Sequence, residues 1–146
     1  MTKPVTPLLA ADALIELTDR PERPIVLIER KNPPYGWAIP GGFVDVGETV
    51  ETTAVREALE EVSLQVNLRG LLGIYSSPTR DPRGHTVTAI YIAEATGIPV
   101  AADDASNVGI FTLDQLPAPL AFDHGMVLED YRRYRETGEV APLRFK

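Results

Sequence analysis

One segment of the sequence, residues 49–62, combines the periodicity of an amphipathic helix with a high local density of acid. At about 100° per residue, Val55, Leu59 and Val62 fall on one side of such a helix, with Ala58 beside them. Roughly the opposite side carries the acidic residues Glu57, Glu60 and Glu61. The segment therefore predicts a helix that packs its apolar side on a core and presents an acidic side.

Strand-like segments lie on both sides of this helix in the sequence. They are rich in apolar and β-branched residues and cover residues 8–17, 25–30, 64–77, 85–96 and 108–113. A second helix is expected over residues 121–138, with Gly138 as its capping residue. Because strands outnumber helices without regular βαβ alternation, we predict an α+β fold, an α/β/α sandwich with a mixed β-sheet between helices.

Composition narrows the class of protein. The 146 residues suit a single domain spanning 1–146, and the net charge of -7 argues against nucleic-acid binding through a broad basic face. The absence of cysteine excludes disulfides, thiolate metal sites and a cysteine nucleophile. No window reaches the roughly 20 apolar residues of a membrane span. We therefore expect a cytoplasmic protein that does not interact with membranes.

Acidic helix faces are most often only solvated surface, so the acidic residues need support from their surroundings. That support is a regular spacing that begins at Gly42. The charged residues follow at fixed intervals: Glu48 after five residues, Arg56 and Glu57 after seven more, and Glu60 and Glu61 after a further two. A chance match at so many fixed positions is rare, which favours a functional motif.

Diphosphate hydrolysis explains why acids would be grouped in this way. Water must reach a phosphorus atom shielded by negative oxygens, and divalent cations neutralise that charge and acidify the water. Magnesium prefers oxygen ligands. Because glutamates three and four residues apart share one helical face, Glu57, Glu60 and Glu61 can bind a common cation cluster.

The spacing resembles the signature of the Nudix hydrolases and matches it at every charged position. The family pattern has a glycine where this sequence has Ser63. A serine in the left-handed conformation that such a glycine adopts costs on the order of 1 kcal/mol, unless the helix ends in a different way, and in both cases the charged positions are untouched. The resemblance implies the Nudix fold, hydrolysis of a nucleoside diphosphate linked to another moiety, and Mg²⁺ as the cofactor, with Mn²⁺ as the alternative.

The resemblance also assigns roles to individual positions. Those that resemble metal ligands are Glu57 and Glu61 as the principal ones, Glu60 for a second or third ion, and the main-chain carbonyl of Gly41. Glu48 and Arg56 resemble an internal ion pair that ties the loop to the helix and orients Glu57. A purely scaffolding role for that pair carries equal weight.

Stretches outside the motif resemble the ADP-ribose pyrophosphatase branch of the family. They are YGWAIPGGFVDVGETVE, SSPTRDPRGHTVTAIY and LAFDHGMVLEDY, and the resemblance runs from about residue 8 to residue 134. Members of this branch cleave ADP-ribose to AMP and ribose 5-phosphate with magnesium, usually as homodimers. The resemblance thus implies a small nucleotide substrate and a homodimer.

Candidate substrate-binding residues lie in two of these stretches. Arg80 and Arg83 can place their guanidinium groups on phosphate or ribose oxygens, and a surface loop stiffened by proline and glycine is an equally weighted alternative. Tyr35 and Trp37 are candidates for stacking on a base or a ribose. For Trp37 a position in the core is the stronger interpretation, because tryptophan is buried on average.

A further acid beyond the motif often acts as general base or metal ligand in this family. We favour Asp104 for this role, with Asp103 and Glu94 as alternatives, although a solvated turn suits any one of them. His85 and His124 are interpreted as structural, because neither has a recognised ligand spacing.

Two other functions compete with ADP-ribose hydrolysis. One keeps the motif and changes the substrate to a nucleoside triphosphate, including oxidised nucleotides, with release of pyrophosphate. The other is a non-catalytic sensor that binds ADP-ribose. Sensors tend to lose motif carboxylates, and this sequence retains all of them, so the sensor ranks last.

Overall fold

The computed structural model describes residues 2–146. The strands are β1 (Leu8–Leu17), β2 (Ile25–Arg30), β3 (Trp37–Ala38), β4 (Gly41–Phe43), β5 (Asn67–Tyr75), β6 (Thr86–Ala95) and β7 (Ala105–Phe111). The helices are α1 (Val50–Val62) and α2 (His124–Thr137). The segments predicted from the sequence are all present, with ends shifted by a few residues, whereas β3 and β4 were not predicted as strands.

The strands form one mixed sheet in the order β3-β2-β1-β6-β5. β1 and β6 lie parallel from the Leu8–Thr86 pair to the Leu17–Ala95 pair, and the other pairings are antiparallel. β4 pairs with β1 beyond this path, and β7 pairs with β2. The predicted mixed sheet is confirmed, and the central strand β1 contacts β2, β4 and β6.

Each helix covers a different hydrophobic cluster. On the α1 side, Ala54, Ala58 and Val62 pack with alternate residues of β1 such as Ala13 and Ile15. On the α2 side, the residues Val127, Leu128 and Tyr131 pack with Leu14, Ile90 and Ile92. Because side chains alternate across a strand, the two clusters occupy opposite faces of the sheet. The α/β/α sandwich predicted from the sequence is therefore confirmed.

The buried side of α1 differs from the predicted one. Leu59 was placed on the apolar side but is 50% exposed, whereas Glu61 was placed on the acidic side and is 4% exposed. The alanines at 54 and 58 let the helix approach the sheet closely, and this approach carries Glu61 inward to the backbone of Gly41. The helix begins after Thr49, whose hydroxyl accepts a hydrogen bond from the Thr52 amide at 3.1 Å.

The helix ends also follow from local sequence. Ser63 adopts the left-handed conformation expected there, with φ 60° and ψ 30°, and its amide donates to the Leu59 carbonyl. α2 begins at His124 rather than at residue 121, and Gly138 ends it at φ 80°, as predicted. Within residues 2–146, no helix is both long and apolar enough to cross a membrane.

Candidate active site

A cavity of about 500 Å³ opens between α1, the middle of β1 and the residues that lead into α2. Its acidic lining consists of Asp12, Asp45, Glu57, Glu61, Asp81 and Asp104. Its basic lining consists of Arg30, Arg56, Arg80 and Arg83. The aromatic side chains of Phe43, Phe122 and His124 also face it. Opposite charges thus share one concave site, as nucleotide diphosphate and cation binding would require.

The guanidinium of Arg56 stands among the acidic residues of the motif. Its Nε and Nη2 donate to the two carboxylate oxygens of Glu48 at 2.7 and 2.8 Å. Its Nη1 donates to Glu57 Oε1 at 2.9 Å and to Glu60 Oε2 at 3.1 Å. The bonds from Arg56 lower the pKa of Glu48 to about 2. The ion pair expected between Glu48 and Arg56 is therefore present, and Arg56 also holds Glu57.

Three carboxylates each approach the backbone of the glycine pair Gly41–Gly42. The Gly41 amide donates to Glu61 Oε1 at 2.8 Å. A Cβ on Gly41 would lie 1.8 Å from Asp12 Oδ1, and a Cβ on Gly42 would lie 2.5 Å from the carboxyl carbon of Glu57. Any larger residue would displace these carboxylates, so glycine at both positions is required for their close approach.

Burial controls the protonation of these acids. It raises the pKa of Glu61 from 4.5 to about 8 and that of Asp12 from 3.8 to about 8. It also raises the pKa of Glu57 above its usual value. Buried carboxylates of this kind are stabilised in the charged form by a nearby cation. The oxygen-only donor set of Glu57 and Glu61 suits Mg²⁺ or Mn²⁺.

The side chains do not enclose a metal ion as they stand. Among residues 2–146, no three acidic or histidine side chains converge closely enough to do so. Arg56 occupies the space between Glu57 and Glu60 and supplies the positive charge there. Glu60 and Glu48 lie outside the cavity lining, whereas Glu57 and Glu61 belong to it. A bound cation would therefore compete with Arg56 for Glu57.

Arg80 does not present the free guanidinium that the sequence suggested for phosphate or ribose. It is buried, and its Nε and Nη2 donate to the Asp123 carboxylate at 2.9 and 2.8 Å. Its Nη1 donates to the Thr88 hydroxyl at 2.7 Å. These bonds use every nitrogen of the guanidinium, so Arg80 holds Asp123, the residue before α2, in place from its position in the cavity lining.

Arg83 keeps part of its guanidinium available. Its Nε and Nη2 donate to the Asp81 carboxylate at 3.1 and 2.9 Å, and no residue within 2–146 accepts from its Nη1. The guanidinium carbon lies 5.3 Å from the ring centroids of both Phe43 and Phe122. These cation–π contacts hold Arg83 at the cavity wall, where an anion could bind it.

Arg30 is a second cation on this wall, and no sequence pattern marked it as a candidate. Its Nε donates to the Pro34 carbonyl at 2.8 Å, and its guanidinium carbon lies 4.8 Å from the Phe122 ring centroid. No carboxylate within residues 2–146 forms an ion pair with it, and burial, together with the nearby Arg83, lowers its pKa. The ladder between β2 and β7 shifts register between Glu29 and Arg30, an irregularity common beside functional sites.

The aromatic candidates lie apart from the cavity. Trp37 packs edge-on against Phe111, with ring centroids 5.2 Å apart, as part of the core beneath α2. Tyr35 is exposed. Neither side chain is in the cavity lining. The proposed stacking of Trp37 or Tyr35 on a substrate therefore has no support from this arrangement, whereas the core position of Trp37 does.

The candidate acids beyond the motif differ in whether they line the cavity. Asp104 lines the cavity, whereas the carbonyl of Asp103 accepts from Lys31 and Glu94 pairs with Arg69 at 2.7 Å. His85 contacts the Ser76 carbonyl outside the cavity. These positions favour Asp104 as the acid beyond the motif.

Asp12, Phe122 and His124 complete the site, and the sequence did not point to them as functional. Phe122 has φ 55°, a left-handed conformation that bulky residues rarely adopt and that often marks a functional site. Asp12 could have been noticed as one of two acids, with Glu16, within an apolar strand segment. His124 is buried, with its ring against the cavity.

Comparison with protein families identifies the fold. The model of the NUDIX domain matches residues 7–131. The chain belongs to the NUDIX domain family. The Nudix motif residues Glu57 and Glu61 thus lie in the cavity just described, together with the glycine pair.

Individual relatives of this Nudix hydrolase have been described. It is 46% identical over 132 residues to an ADP-ribose pyrophosphatase of Methanocaldococcus jannaschii, covering 88% of this chain and 75% of that protein. It is 32% identical over 131 residues to an ADPR responsive transcriptional repressor of Acinetobacter baylyi, covering 85% of this chain and 52% of the repressor.

Solved structures agree on the Nudix fold. The NUDIX domain of Shewanella oneidensis NrtR complexed with ADP ribose superposes with a TM-score of 0.76 at 30% identity, covering 91% of this chain and 90% of that one. A MutT NUDIX hydrolase of Burkholderia pseudomallei gives 0.75 at 32% identity, covering 86% and 98%.

Proposed function

We propose that this Nudix hydrolase cleaves the diphosphate linkage of ADP-ribose to give AMP and ribose 5-phosphate. The observation that carries the proposal is the cavity in which Glu57 and Glu61 meet the glycine pair while Arg30 and Arg83 form the facing wall. The identity to the Methanocaldococcus jannaschii pyrophosphatase supports this substrate over other nucleotides.

A divalent cation supplies the chemistry that the side chains lack. When bound, Mg²⁺ neutralises charge on the phosphates and acidifies the attacking water. The residues that would hold it are Glu57, Glu61 and the carbonyl of Gly41, with Glu60 for a further ion. Mn²⁺ has the same preference for oxygen ligands and could replace Mg²⁺.

The remaining motif residues position these ligands. Arg56 ties Glu48 in the loop to Glu57 on the helix, so that the Glu57 carboxylate stays at the cavity wall. Asp104 lines the same cavity and is the acid that would accept a proton from the attacking water. Arg56 and Glu48 therefore act by positioning Glu57, whereas Asp104 would act by proton transfer.

Charge on the opposite wall suits the diphosphate. Arg83 has a free Nη1, and Arg30 has no carboxylate partner within the described residues. Asp81 neutralises only Arg83, so the two guanidinium groups together leave positive charge on this wall, which favours an anion. A phosphate oxygen of the substrate would relieve their mutual repulsion.

Two alternative functions differ from ADP-ribose hydrolysis in the products that they predict. A nucleoside triphosphate substrate would release pyrophosphate, and a putative 8-oxo-dGTP diphosphatase of Bacillus subtilis is 36% identical over 86 residues. An ADP-ribose sensor would bind without cleavage. The complete set of motif carboxylates in this chain favours hydrolysis over sensing.

Product analysis tests the proposal directly. The protein is incubated with Mg²⁺ and, separately, ADP-ribose, other nucleotide sugars and nucleoside triphosphates, and the products are separated by chromatography. AMP with ribose 5-phosphate from ADP-ribose supports the proposal. Pyrophosphate from a triphosphate, with ADP-ribose intact, supports the first alternative, and tight ADP-ribose binding without turnover supports the second.

We also propose that the chain forms one domain over residues 1–146 and acts as a homodimer in the cytoplasm, as the family resemblance implies. The edge strand β5 carries the exposed apolar residues Leu71 and Ile74, which a second copy could cover. Light scattering after size-exclusion chromatography measures the mass in solution, and cell fractionation locates the protein.

A further inference from the structure

Asp12 and His124 are neighbours on the floor of the cavity, and the proposed chemistry uses neither. Asp12 lies in β1 on the face of the sheet toward α2, and His124 is the first residue of α2. Their exposed fractions are 6% and 3%. A buried carboxylate next to a buried imidazole is an unfavourable arrangement unless each group gains a hydrogen-bond partner.

The tautomer of His124 follows from its contact with the backbone. The Ile39 amide donates to His124 Nδ1 at 3.1 Å, so Nδ1 carries no hydrogen. In the neutral ring the hydrogen is therefore on Nε2. Protonation of Nδ1 would break the hydrogen bond from the Ile39 amide. This hydrogen bond therefore keeps the ring neutral, and Nε2 is a hydrogen-bond donor.

The Nε2 donor lies beside Asp12 without bonding it well. Nε2 is 3.5 Å from Asp12 Oδ2, longer than an ordinary N–H···O hydrogen bond. Within residues 2–146, no other side chain or amide donates to the Asp12 carboxylate. A donor and an acceptor thus stand side by side at the cavity, and each retains hydrogen-bonding capacity.

Both groups are held rigidly. Asp12 is fixed in β1 by pairing with Ile90 on one side and with Gly41 on the other. His124 is fixed by Ile39 and by its neighbour Asp123, which is bonded to Arg80. Groups that are fixed before binding lose little freedom when a ligand arrives, so they discriminate well between ligands.

We propose that Asp12 and His124 form a recognition pair that binds adjacent hydrogen-bonding groups of the nucleotide substrate, an oxygen of the Asp12 carboxyl group accepting from a donor and His124 Nε2 donating to an acceptor. This inference rests on the proposed function. Neighbouring hydroxyls of a ribose have this chemistry, and so does the amine edge of adenine beside its ring nitrogen. In either case the pair determines specificity and is not part of the cation site.

The variants that test the pair preserve its surroundings. Asp12→Asn keeps the size of the side chain beside Gly41 and replaces one acceptor oxygen by a donor. His124→Asn retains an amide oxygen that can accept from the Ile39 amide and removes the Nε2 donor. The matched controls are Asp19→Asn and His85→Asn, whose side chains lie outside the cavity.

The measurement compares substrates that differ by one group. The kcat and KM values are determined for ADP-ribose, for analogues that lack a hydroxyl on either ribose, and for the hypoxanthine analogue that lacks the adenine amine. We expect the native protein to favour ADP-ribose over one of these analogues. Asp12→Asn and His124→Asn should each raise KM for ADP-ribose by about 10-fold to 100-fold, with a smaller effect on kcat, and should abolish that preference.

The affected analogue identifies the bound group, because the deoxy compounds report on a ribose and the hypoxanthine compound on the base. A second readout separates recognition from structure. Asp12→Asn removes a buried acid without a close partner, so its melting temperature should equal or exceed that of the native protein. If His124→Asn does not fold, Asp12→Asn alone carries the test.

Two results would overturn the inference. One is equal loss of activity on every analogue, accompanied by weaker Mn²⁺ binding in calorimetry without substrate, which would make Asp12 part of the cation site. The other is unchanged KM and unchanged preference in both variants. In either case the native protein would still cleave ADP-ribose, whereas failure of the proposed function would appear as no cleavage by the native protein itself.

Discussion

The guanidinium of Arg80 donates two parallel hydrogen bonds to the carboxylate of Asp123, at 2.9 and 2.8 Å. Asp123 stands between Phe122 and His124, and both of these face the cavity. The bidentate contact therefore fixes the orientation of a short segment that carries an aromatic ring on one side and an imidazole on the other. One buried arginine thus positions two residues of the site.

Arg80→Gln should destabilise the protein strongly. Removing one partner of a buried ion pair leaves the other charge uncompensated, and we expect the free energy of unfolding to fall by about 3–5 kcal/mol. Urea denaturation measures this change. Arg83→Gln is the matched control, because its ion pair with Asp81 is partly exposed on the arginine side and should contribute less than about 1 kcal/mol.

The two arginine variants should also differ in kinetics. Arg83→Gln should raise KM for ADP-ribose while the fold stays intact, since its free Nη1 faces the cavity. If Arg80→Gln were as stable as the native protein and simply bound substrate less well, the direct phosphate contact suggested by the sequence would be right and the positioning role wrong.

Glu57→Gln and Glu61→Gln should each lower kcat by about 100-fold or more with Mg²⁺, because each removes a charged ligand of the cation that stabilises the developing charge at the phosphate. Both amides are close in size to the carboxylates, so thermal unfolding should show a folded protein. Glu51→Gln, on the exposed first turn of α1, is the control and should keep native activity. Native turnover in both motif variants would show that the cation is held elsewhere.

The motif and the strand pattern are local properties of the sequence, and these predictions were correct in outline. The burial of Glu61 was not predictable, because helical periodicity places it among exposed acids, and only the tertiary contact with Gly41 turns it inward. The pairing of Arg80 with Asp123 joins residues 43 positions apart, so the arginine looked free in the sequence. Contacts of this kind depend on how the chain folds back on itself.

Arg30 is a cavity residue that the sequence patterns did not identify. In the sequence it is the last residue of a strand, and nothing distinguishes it from a solvated basic residue. The register shift beside it and the left-handed backbone of Phe122 bring the two side chains together at the cavity. Backbone irregularities of this kind are decided by the assembled sheet and not by residue type.

The metal-free protein should lose stability as pH rises from 6.5 to 8. Burial raises the pKa of Asp12 and Glu61 to about 8, whereas both acids are ionised in the unfolded chain throughout this range. The folded state then binds more protons, so the free energy of unfolding falls by on the order of 1 kcal/mol per pH unit for each group and levels off above pH 8. His124, whose pKa is lowered to about 4 by burial, opposes this fall only near pH 6.5, where the imidazole of the unfolded chain is still about half protonated, and it no longer contributes toward pH 8.

Melting temperatures with and without Mg²⁺ check this pH dependence. Because the cation binds the ionised carboxylate of Glu61, Mg²⁺ should raise the melting temperature more at pH 8 than at pH 6.5. A metal-free melting temperature that does not change across this range, or a Mg²⁺ effect of equal size at both values, would contradict the assignment of raised pKa values to these buried acids.

Ser63→Gly should leave turnover unchanged and alter stability only slightly. Glycine removes the cost of about 1 kcal/mol that serine incurs in the left-handed conformation at φ 60°. It also removes the hydrogen bond from the Ser63 hydroxyl to the Val100 carbonyl at 3.1 Å, which contributes about 1 kcal/mol in the opposite sense. Ser63→Ala loses that bond and retains the backbone cost, so it should be the less stable of the two variants in urea denaturation. A large change in kcat for Ser63→Gly would mean that the end of α1 controls the position of Glu61, and would contradict the view that this departure from the family pattern affects stability alone.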